Sequence, residues 1–418
     1  MTHLPKNHRK NLANVDWVLV VSIFFFGIML GTLSVLRYVA YNARMLDLGN
    51  MAQSIWSATR GRPLEFTYGG VNISRLSLHV ELFYFLLVPL YALFPSPITL
   101  VLFQAFLFGI GALPLYRLAL RRSENKGLAR ALVFIYLLYP TAQSAVLFDF
   151  HGDTLAMPLL LFALEALDRK SWRMYGLWLV AALSCKFYVA LPVCLLGVYL
   201  YFQGERRVGV LTFLSGFLWG GFAFFVIRPA FTSVNVASGQ LSIGGYVAFY
   251  FGSFLSDIVT TWQDRLVHAV IVFAPLVPVL LYVDRWTLMA AAIAFPVVIS
   301  SGPGPAYDFR THHYAVVVPF IMLSILSALT KLKTRPMEFR LPILRAKSVP
   351  FWRAMTVVVV GLTLFMNMRL VSTPLQPGFW STGPEGGLAS WRYGRTARDR
   401  LKNRWLARHV PSDAALLA

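Results

Sequence analysis

The stretch His79-Val-Glu-Leu-Phe-Tyr-Phe-Leu-Leu-Val-Pro-Leu-Tyr-Ala-Leu-Phe94, which runs into Pro95-Ser96-Pro97, decides how the chain is threaded. It is apolar, but it is shorter than the roughly 20 residues that an α-helix needs to cross the core of a bilayer. If this stretch crossed the membrane, every segment after it would be inverted. We predict instead a re-entrant or interfacial helix, because that interpretation gathers the basic loops on one side.

The composition is that of a membrane protein. Hydrophobic residues make up 57% of the 418 residues and charged residues only 13%, which is far more apolar than a water-soluble domain requires. A net charge of +20 would suit a nucleic-acid binder in a soluble protein, but here Lys and Arg lie mostly in short loops between apolar runs. We therefore expect no nucleic-acid partner. The only cysteines, Cys185 and Cys194, indicate neither a disulfide framework nor a zinc site.

Apolar runs long enough to cross a bilayer recur along the chain, and they predict an all-α polytopic protein of the cell (inner or plasma) membrane. The first run follows a basic flank of Lys6, Arg9 and Lys10, which is typical of a retained signal anchor. About eleven transmembrane helices are expected, at about residues 17–39, 97–120, 128–147, 153–168, 173–186, 188–203, 207–228, 265–283, 287–301, 313–330 and 353–371.

The positions of Lys and Arg predict which loops face the cytoplasm. With the stretch 79–94 held at the interface, one set of basic loops shares the side of the N-terminus, which the positive-inside rule makes cytoplasmic. These are loops 117–130, 169–173, 206–207 and 331–353. We expect the remaining polar loops to lie outside the cytoplasm and to converge on one site. They are loops 41–78, 148–153, 229–264 and 301–313.

The first outer loop contains Asp47-Leu-Gly-Asn50-Met-Ala-Gln53-Ser54-Ile-Trp56. Its periodicity predicts an amphipathic helix at the membrane surface. The expected polar face comprises Asp47, Asn50, Ser54 and Ser57, and the expected apolar face comprises Leu48, Met51, Ala52 and Ile55. Asp47 is then either part of a solvated polar face or a carboxylate at the water–lipid boundary that acts as a general base on a hydroxyl.

The second outer loop carries Asp149, His151 and Asp153 at alternate positions. This pattern is suited to a divalent cation or to a phosphate-bearing head group. Three such ligands are a weak metal signal alone, so the cofactor hypothesis is no more than an optional divalent cation. Alternatively, Asp153 only caps the helix that follows it.

Two further sites of positive charge face the same side. Lys186 interrupts a nearly uncharged run, and we place it at an outer hairpin, where it either reaches an anionic group or extends to the interface. Arg310, His312 and His313 lie in a loop rich in Gly and Pro. The guanidinium suits phosphate, and the imidazoles add titratable donors.

Several of these strings together resemble a known family. They are Asp47-Leu-Gly49 with Gln53, Trp56 and Gly61; Leu78-His79; Pro89-Leu-Tyr91; Phe94-Pro-Ser-Pro97; Gln104; Asp149-Phe-His151 with Asp153; and His313-Tyr314 with Pro319. Nearly the whole chain is similar to a family of predicted prokaryotic membrane proteins, the domain of unknown function numbered twenty seventy-nine, which is grouped with the GT-C glycosyltransferases. The order and spacing of the strings, more than any single string, carry the resemblance.

The resemblance implies a GT-C-like helical bundle whose first large outer loop holds an acidic residue of the active site. Such enzymes take a sugar from a lipid-linked sugar phosphate and transfer it to an acceptor outside the cytoplasm. Asp47 matches that acidic position, Asp149 matches the second acidic loop, and His79, His151 and His313 match other motif positions. Directly after Lys186 the family often has an acidic residue, whereas Phe187 and Tyr188 stand here.

The resulting hypothesis is a hexosyltransferase-like membrane enzyme with a polyprenyl-phosphate-linked sugar and membrane lipid as partners. We expect catalytic roles for Asp47, Asp149 and His151. Donor-phosphate binding is assigned to His79, Lys186, Arg310, His312 and His313, and a metal, if any, to Asp149, His151 and Asp153. Residues 1–371 form the expected transmembrane domain, and 372–418 form an extracytoplasmic C-terminal segment that resembles the start of a longer region in the family.

Two other classes of function remain open. A polytopic protein with intramembrane Pro and a lone Lys is also compatible with a transporter or flippase for a lipid or a solute, although the two halves show no clear internal repeat. A catalytically inactive membrane scaffold is the third alternative.

Overall fold

The computed structural model describes residues 15–68, 70–232, 243–302, 304–340, 348–381 and 393–410. The basic flank of Lys6, Arg9 and Lys10 lies outside the described residues. So do residues 233–242 of the outer loop 229–264 and residues 382–392 and 411–418 of the C-terminal segment.

The N-terminal part consists of a long helix, a small outer subdomain and a group of packed helices. In order, its elements are α1 (Trp17–Val39), a π-helical turn (Met45–Gly49), α2 (Asn50–Ala58), β1 (Glu65–Tyr68), β2 (Val71–Ser74), α3 (Arg75–Leu78), α4 (Tyr84–Leu93), α5 (Pro97–Ile110), α6 (Ala112–Ser123), α7 (Lys126–Leu137), α8 (Pro140–Leu147) and α9 (Gly152–Asp168). Strands β1 and β2 form an antiparallel hairpin in which Phe66 pairs with Ile73.

The remaining elements alternate longer helices with short irregular ones. They are α10 (Trp172–Leu183), a 3₁₀ turn (Phe187–Val189), α11 (Ala190–Phe202), α12 (Arg206–Phe222), a π-helical turn (Ala223–Ile227), α13 (Arg228–Ala230), α14 (Ile243–Phe251), α15 (Phe254–Phe273), a 3₁₀ run (Ala274–Tyr282), α16 (Arg285–Ile299), a 3₁₀ turn (Ala315–Val317), α17 (Val318–Lys333), β3 (Glu338–Arg340), β4 (Ser348–Pro350), α18 (Phe351–Leu370), a 3₁₀ turn (Pro377–Trp380) and α19 (Ala397–His409).

The all-α polytopic fold is confirmed, but fewer helices than the expected eleven are long and apolar enough to cross a membrane. Within the described ranges there are six, or seven if α7 and α8, which meet at a bend of 44°, count as one span. The six are Trp17–Val39, Pro97–Ser123, Arg206–Ala230, Gly244–Tyr282, Ala315–Lys333 and Phe351–Leu370.

The short length of several helices explains most of the difference between the expected and the observed number of membrane spans. Helices α9, α10, α11 and α16 have 17, 12, 13 and 15 residues, and at about 1.5 Å per residue each is shorter than the roughly 30 Å hydrocarbon core. The deciding stretch 79–94 contains only the ten-residue helix α4. A helix of that length does not cross a bilayer alone, which agrees with the interfacial interpretation.

Several helix ends carry ion pairs that hold them together at what we call the basic end. Asp16, just before α1, accepts hydrogen bonds from Tyr116 (2.6 Å) and from Arg130 (3.0 Å). Arg121 at the end of α6 pairs with Asp168 at the end of α9 at 2.7 Å. These contacts place loops 117–130 and 169–173 at the same end as the start of α1, as the loop charges predict.

The described part of the C-terminal segment lies at the opposite end. Arg395 donates a hydrogen bond of 3.0 Å to the carbonyl of Val39, the last residue of α1, and Asn403 of α19 accepts one from Tyr41. We call this the outer end, because it is the end that the loop charges assign to the outside.

Close helix packing depends on glycine at particular positions. A Cβ atom at Gly109 of α5 would lie 2.8 Å from the carbonyl oxygen of Ile23 in α1, and one at Gly197 of α11 would collide with the backbone of Phe213 in α12. Small residues at such crossings let helix backbones approach directly, as is usual in membrane bundles.

Of the four residues of the expected polar face on the first outer loop, only Asp47 is partly exposed. Asn50, Ser54 and Ser57 are buried, and so is the expected apolar face. The polar side chains are satisfied within their own helix, since Asn50 donates to the carbonyl of Leu46 and Ser54 donates to that of Asn50. Protein around α2 therefore covers both faces of the helix.

Candidate functional site

Four segments bring polar side chains together at the outer end: the π-helical turn before α2, the turn from α8 to α9, the hairpin from α10 to α11, and the loop before α17. The sequence assigns all four segments to the outside. The side chains they contribute to the cluster are Asp47, Asp149, His151, Asp153, Lys186, His312 and His313.

Asp47 contacts His151, with 3.4 Å between its Oδ1 and the imidazole Nε2. The Asp47 side chain is 26% exposed, whereas that of His151 is only 2% exposed. Burial raises the pKa of Asp47, but the hydrogen bond and charge of His151, with the charges of Arg44 and Lys186, outweigh it and hold the pKa below its ordinary value of 3.8. Asp47 is therefore an ionised carboxylate with one side open to solvent and the other held by a buried ring.

Three imidazoles form a continuous column next to Asp47. The ring centroids of His151 and His312 are 3.6 Å apart, and those of His312 and His313 are 4.1 Å apart, each pair packed edge to face. Phe148 lies against the first two rings, at 5.5 and 5.3 Å. Burial, reinforced by neighbouring cations, lowers the pKa of His312 well below 6.5, and burial lowers that of His313 to about 4.

These lowered histidine pKa values predict a loss of stability in mild acid. Below about pH 6.5 the unfolded chain binds protons that folded His312 and His313 do not, so the free energy of unfolding falls as the pH falls, by up to about 1.4 kcal/mol per pH unit for each group. We expect His312→Gln to flatten this slope between pH 6.5 and 5, measured by chemical unfolding in detergent. The exposed His409→Gln is the control. A His312→Gln slope equal to the wild-type slope would show that this imidazole is not responsible.

Lys186 and Asp153 form a buried ion pair, with 2.9 Å between Nζ and Oδ2 and side-chain exposures of 4% and 0%. Tyr188 completes the group, because its hydroxyl donates to Asp153 and lies 3.3 Å from Lys186. The carboxylate that the sequence lacks directly after Lys186 therefore comes from another helix. The alternative that Asp153 only caps a helix does not hold, since α9 begins at Gly152 and the Asp153 side chain is committed to the lysine.

Asp149 is held in an unusual backbone conformation, with φ at +117°. Its carboxylate accepts a hydrogen bond of 3.0 Å from the backbone N–H of Arg44 and pairs with Arg37 at 3.5 Å. Burial raises the pKa of Asp149 and outweighs the opposing charge of Arg37. Gln104 fixes the turn: its amide donates to the Asp149 carbonyl at 2.6 Å and accepts from the backbone N–H of His151 at 2.9 Å. Strained residues held this way are typical of functional sites.

Asp149, His151 and Asp153 do not act together as metal ligands in this geometry. Each binds a different partner: Asp149 pairs with Arg37, His151 with Asp47, and Asp153 with Lys186. Across the described ranges no group of three His, Cys, Asp or Glu side chains is arranged to hold a metal ion. The pattern of alternate residues misleads here because the turn sends the three side chains to separate neighbours.

The two remaining candidates lie at the edges of the cluster. His79 is half-buried between α3 and α4, its Nδ1 has no hydrogen-bond partner, and its carbonyl accepts from the N–H of Phe187 at 3.0 Å. Arg310 is 65% exposed and forms a two-pronged ion pair with Asp308, with Nη2 and Oδ2 2.6 Å apart.

A cavity of about 600 Å³ opens beside the cluster at the outer end. Its walls come from the ends of α1, α8 and α18, from the loop before α17 and from the C-terminal segment. The lining includes Arg37, Arg44, Phe148, Arg310, His313 and Tyr393. His313 thus connects the imidazole column to the cavity.

The sequence reasoning missed Arg37, Arg44 and Tyr188. Nothing in their local patterns distinguishes them from arginines and tyrosines at a membrane interface. It also missed Glu81, which is fully buried and pairs with Arg75 at 2.6 Å. A carboxylate inside the apolar stretch 79–94 was a detectable signal, because buried charges require a partner.

Comparisons with known proteins identify a family and similar solved structures. The model of the family described as "Predicted membrane protein (DUF2079)" matches residues 37–418. The crystal structure of ArnT from Cupriavidus metallidurans bound to undecaprenyl phosphate is 16% identical, with a TM-score of 0.49, over 89% of this chain and 74% of that one. The apo structure of the same protein gives 15% identity and a TM-score of 0.43, over 83% and 69%. No curated protein matches.

Proposed function

The chain belongs to the DUF2079 family of predicted membrane proteins, and from this premise we propose that it is a GT-C-type glycosyltransferase. It moves a sugar from a polyprenyl-phosphate donor to an acceptor outside the cytoplasm. The observation that carries the proposal is the ionised, partly exposed carboxylate of Asp47, held by buried His151 beside an arginine-lined cavity.

The proposed reaction uses Asp47 as the base. Its free oxygen takes the proton of an acceptor hydroxyl as that oxygen bonds to the anomeric carbon of the donor sugar. The bond from the anomeric carbon to the phosphate oxygen breaks on the opposite face, and its electron pair stays with the lipid phosphate. The configuration at the anomeric carbon is therefore inverted.

His151 holds the Asp47 carboxylate in one orientation, since its Nε2 lies 3.4 Å from Oδ1. Because the pKa of Asp47 is lowered, the carboxylate is ionised at neutral pH, which is the form that a general base requires. Positive charge nearby stabilises the leaving phosphate. Arg310 is the candidate for that charge among the predicted residues. His312 and His313, whose lowered pKa values keep them neutral at neutral pH, are candidates for hydrogen bonds to the phosphate, and Lys186 is paired with Asp153.

The surface of α4 offers a path for the polyprenyl tail. Leu86, Leu93 and Phe94 are 67%, 73% and 61% exposed, so the deciding stretch 79–94 presents apolar side chains outward along the helix that follows His79. An isoprenoid chain on this face would be in contact with apolar groups while its phosphate reaches the outer end.

A sugar-transfer site at the outer end requires the basic end of the protein to lie in the cytoplasm. The positive-inside rule favours a cytoplasmic N-terminus, and the outer end, including the described residues after 371, then faces the acceptor.

We expect purified protein given radiolabelled polyprenyl-phosphate sugar and acceptor to release free lipid phosphate and labelled acceptor in equal amounts. A transporter or flippase would move the intact donor across a vesicle bilayer without cleaving it, and a scaffold would do neither. Intact donor after incubation with a panel of hydroxylated acceptors, together with its translocation, would contradict the proposal.

A further inference from the structure

The cavity at the outer end contains more positive charge than its acidic residues neutralise. Three arginines line it: Arg37, Arg44 and Arg310. Arg310 is neutralised by Asp308, which contacts the guanidinium at both Nε and Nη2. Arg44 forms no ion pair with a carboxylate within the described part of the chain, and its guanidinium lies 4.7 Å from the ring centroid of Phe148. A contact with an aromatic face orients the cation without neutralising it.

Arg37 is oriented by neighbours rather than by solvent. Its side chain is only 14% exposed and lies 3.5 Å from Asp149, and its Nη2 donates to the carbonyl of Asn42 at 3.0 Å. Asp149 also accepts the backbone N–H of Arg44. One strained aspartate therefore holds the Arg37 side chain and the Arg44 backbone at the cavity wall, and Gln104 holds the aspartate.

The position of Arg44 connects this cavity to the base. Its charge contributes to lowering the pKa of Asp47, so an anion bound at Arg44 would lie within electrostatic range of that carboxylate. Lys186 also lowers the pKa of Asp47, but its ammonium already binds Asp153 and Tyr188 and is not exposed to the cavity.

We infer that Arg37 and Arg44 form a binding site for a phosphate group and that Asp149 and Gln104 are positioning residues for it. This inference rests on the proposed function for its ligand, the phosphate of the donor lipid. Guanidinium groups suit phosphate oxygens because each presents several N–H donors in one plane. Asp149 then acts through the arginines, and the sugar-transfer chemistry stays with Asp47.

The test is equilibrium binding of farnesyl phosphate to the full chain in detergent. Arg37→Gln and Arg44→Gln should each weaken binding about tenfold or more, as expected for loss of one charged hydrogen-bonding group. Arg44→Lys should recover part of the affinity, and Arg60→Gln, an exposed arginine outside the cavity, should leave it unchanged. Gel filtration and thermal unfolding of each variant show whether it is folded.

Two further ligands identify what the site recognises. Farnesol, which lacks the phosphate, should bind equally to wild type and to both glutamine variants. Inorganic phosphate should compete with farnesyl phosphate but bind at least tenfold more weakly. Wild-type affinity for farnesyl phosphate in folded Arg37→Gln and Arg44→Gln would overturn the site. Equal affinities for inorganic and farnesyl phosphate would overturn the assignment to a lipid.

The positioning role has its own readout in the transfer assay. Asp149→Asn should raise the donor KM about tenfold and leave kcat close to wild type, because Arg37 loses its ion pair while Asp47 is intact. A fall in kcat at unchanged KM would contradict it. If the wild-type protein binds farnesyl phosphate through both arginines but transfers no sugar, the proposed function fails and the phosphate site stands. If the wild-type protein transfers sugar but both arginine variants bind farnesyl phosphate with wild-type affinity, the phosphate site fails and the proposed function stands.

Discussion

The Asp47→Asn variant is expected to lose sugar transfer, with kcat lower by about 10²–10⁴-fold, the range that a positioned general base contributes. Asparagine keeps the size of the side chain and its carbonyl faces His151 as the carboxylate does, but it cannot take the acceptor proton. The donor KM should stay near the wild-type value, because the proposed phosphate-binding groups are unchanged. Initial rates of lipid-phosphate release over a range of donor concentrations measure both constants.

Glu65→Gln is the matched control for this variant. Glu65 belongs to the same outer subdomain and is partly exposed, and its nearest cation is Arg62 at 3.9 Å. Removing this charge should leave transfer unaffected. A folded Asp47→Asn protein that transfers sugar at the wild-type rate would remove Asp47 from the mechanism.

The Lys186→Met variant is expected to lose about 3–5 kcal/mol of unfolding free energy, because it leaves a carboxylate buried without its cation. The Asp153 side chain is 0% exposed, so water cannot replace the ammonium. Chemical unfolding in detergent micelles, monitored by tryptophan fluorescence, measures the change.

The controls separate a structural lysine from one that binds substrate. Lys170→Met breaks an exposed pair with Glu205 and should cost less than about 1 kcal/mol. Adding Asp153→Asn to Lys186→Met should restore part of the stability, since the uncompensated charge is gone. An unaltered unfolding free energy with a raised donor KM would instead assign Lys186 to the donor phosphate.

Features that depend on local chemistry were predictable from the sequence. Hydropathy gave the helical membrane fold, and family strings gave the DUF2079 assignment. Loop charge predicted that loops 117–130 and 169–173 share an end. The same reasoning brought Asp47, His151 and His312 to the opposite end, because each follows or precedes an apolar run on the same side. What these residues do stays a prediction.

Features that depend on tertiary contacts were not predictable in the same way. The Asn50–Ser57 face looked solvated because periodicity does not reveal what packs against it. Alternation suggested a metal at Asp149, His151 and Asp153, but each of these side chains pairs with a different residue. Fewer helices than expected are long and apolar enough to cross a membrane, because expected spans such as 173–186 and 188–203 form helices of only 12 and 13 residues.

The central claim is that the lipid phosphate of a sugar donor sits at the outer end beside Asp47. A cryo-electron microscopy map of the Asp47→Asn protein with bound polyprenyl-phosphate sugar tests it most directly. We predict phosphate density in the cavity at Arg37 and Arg44, with the anomeric carbon facing residue 47. Phosphate density at the basic end, among the loops that contain Arg121 and Arg130, would contradict the account.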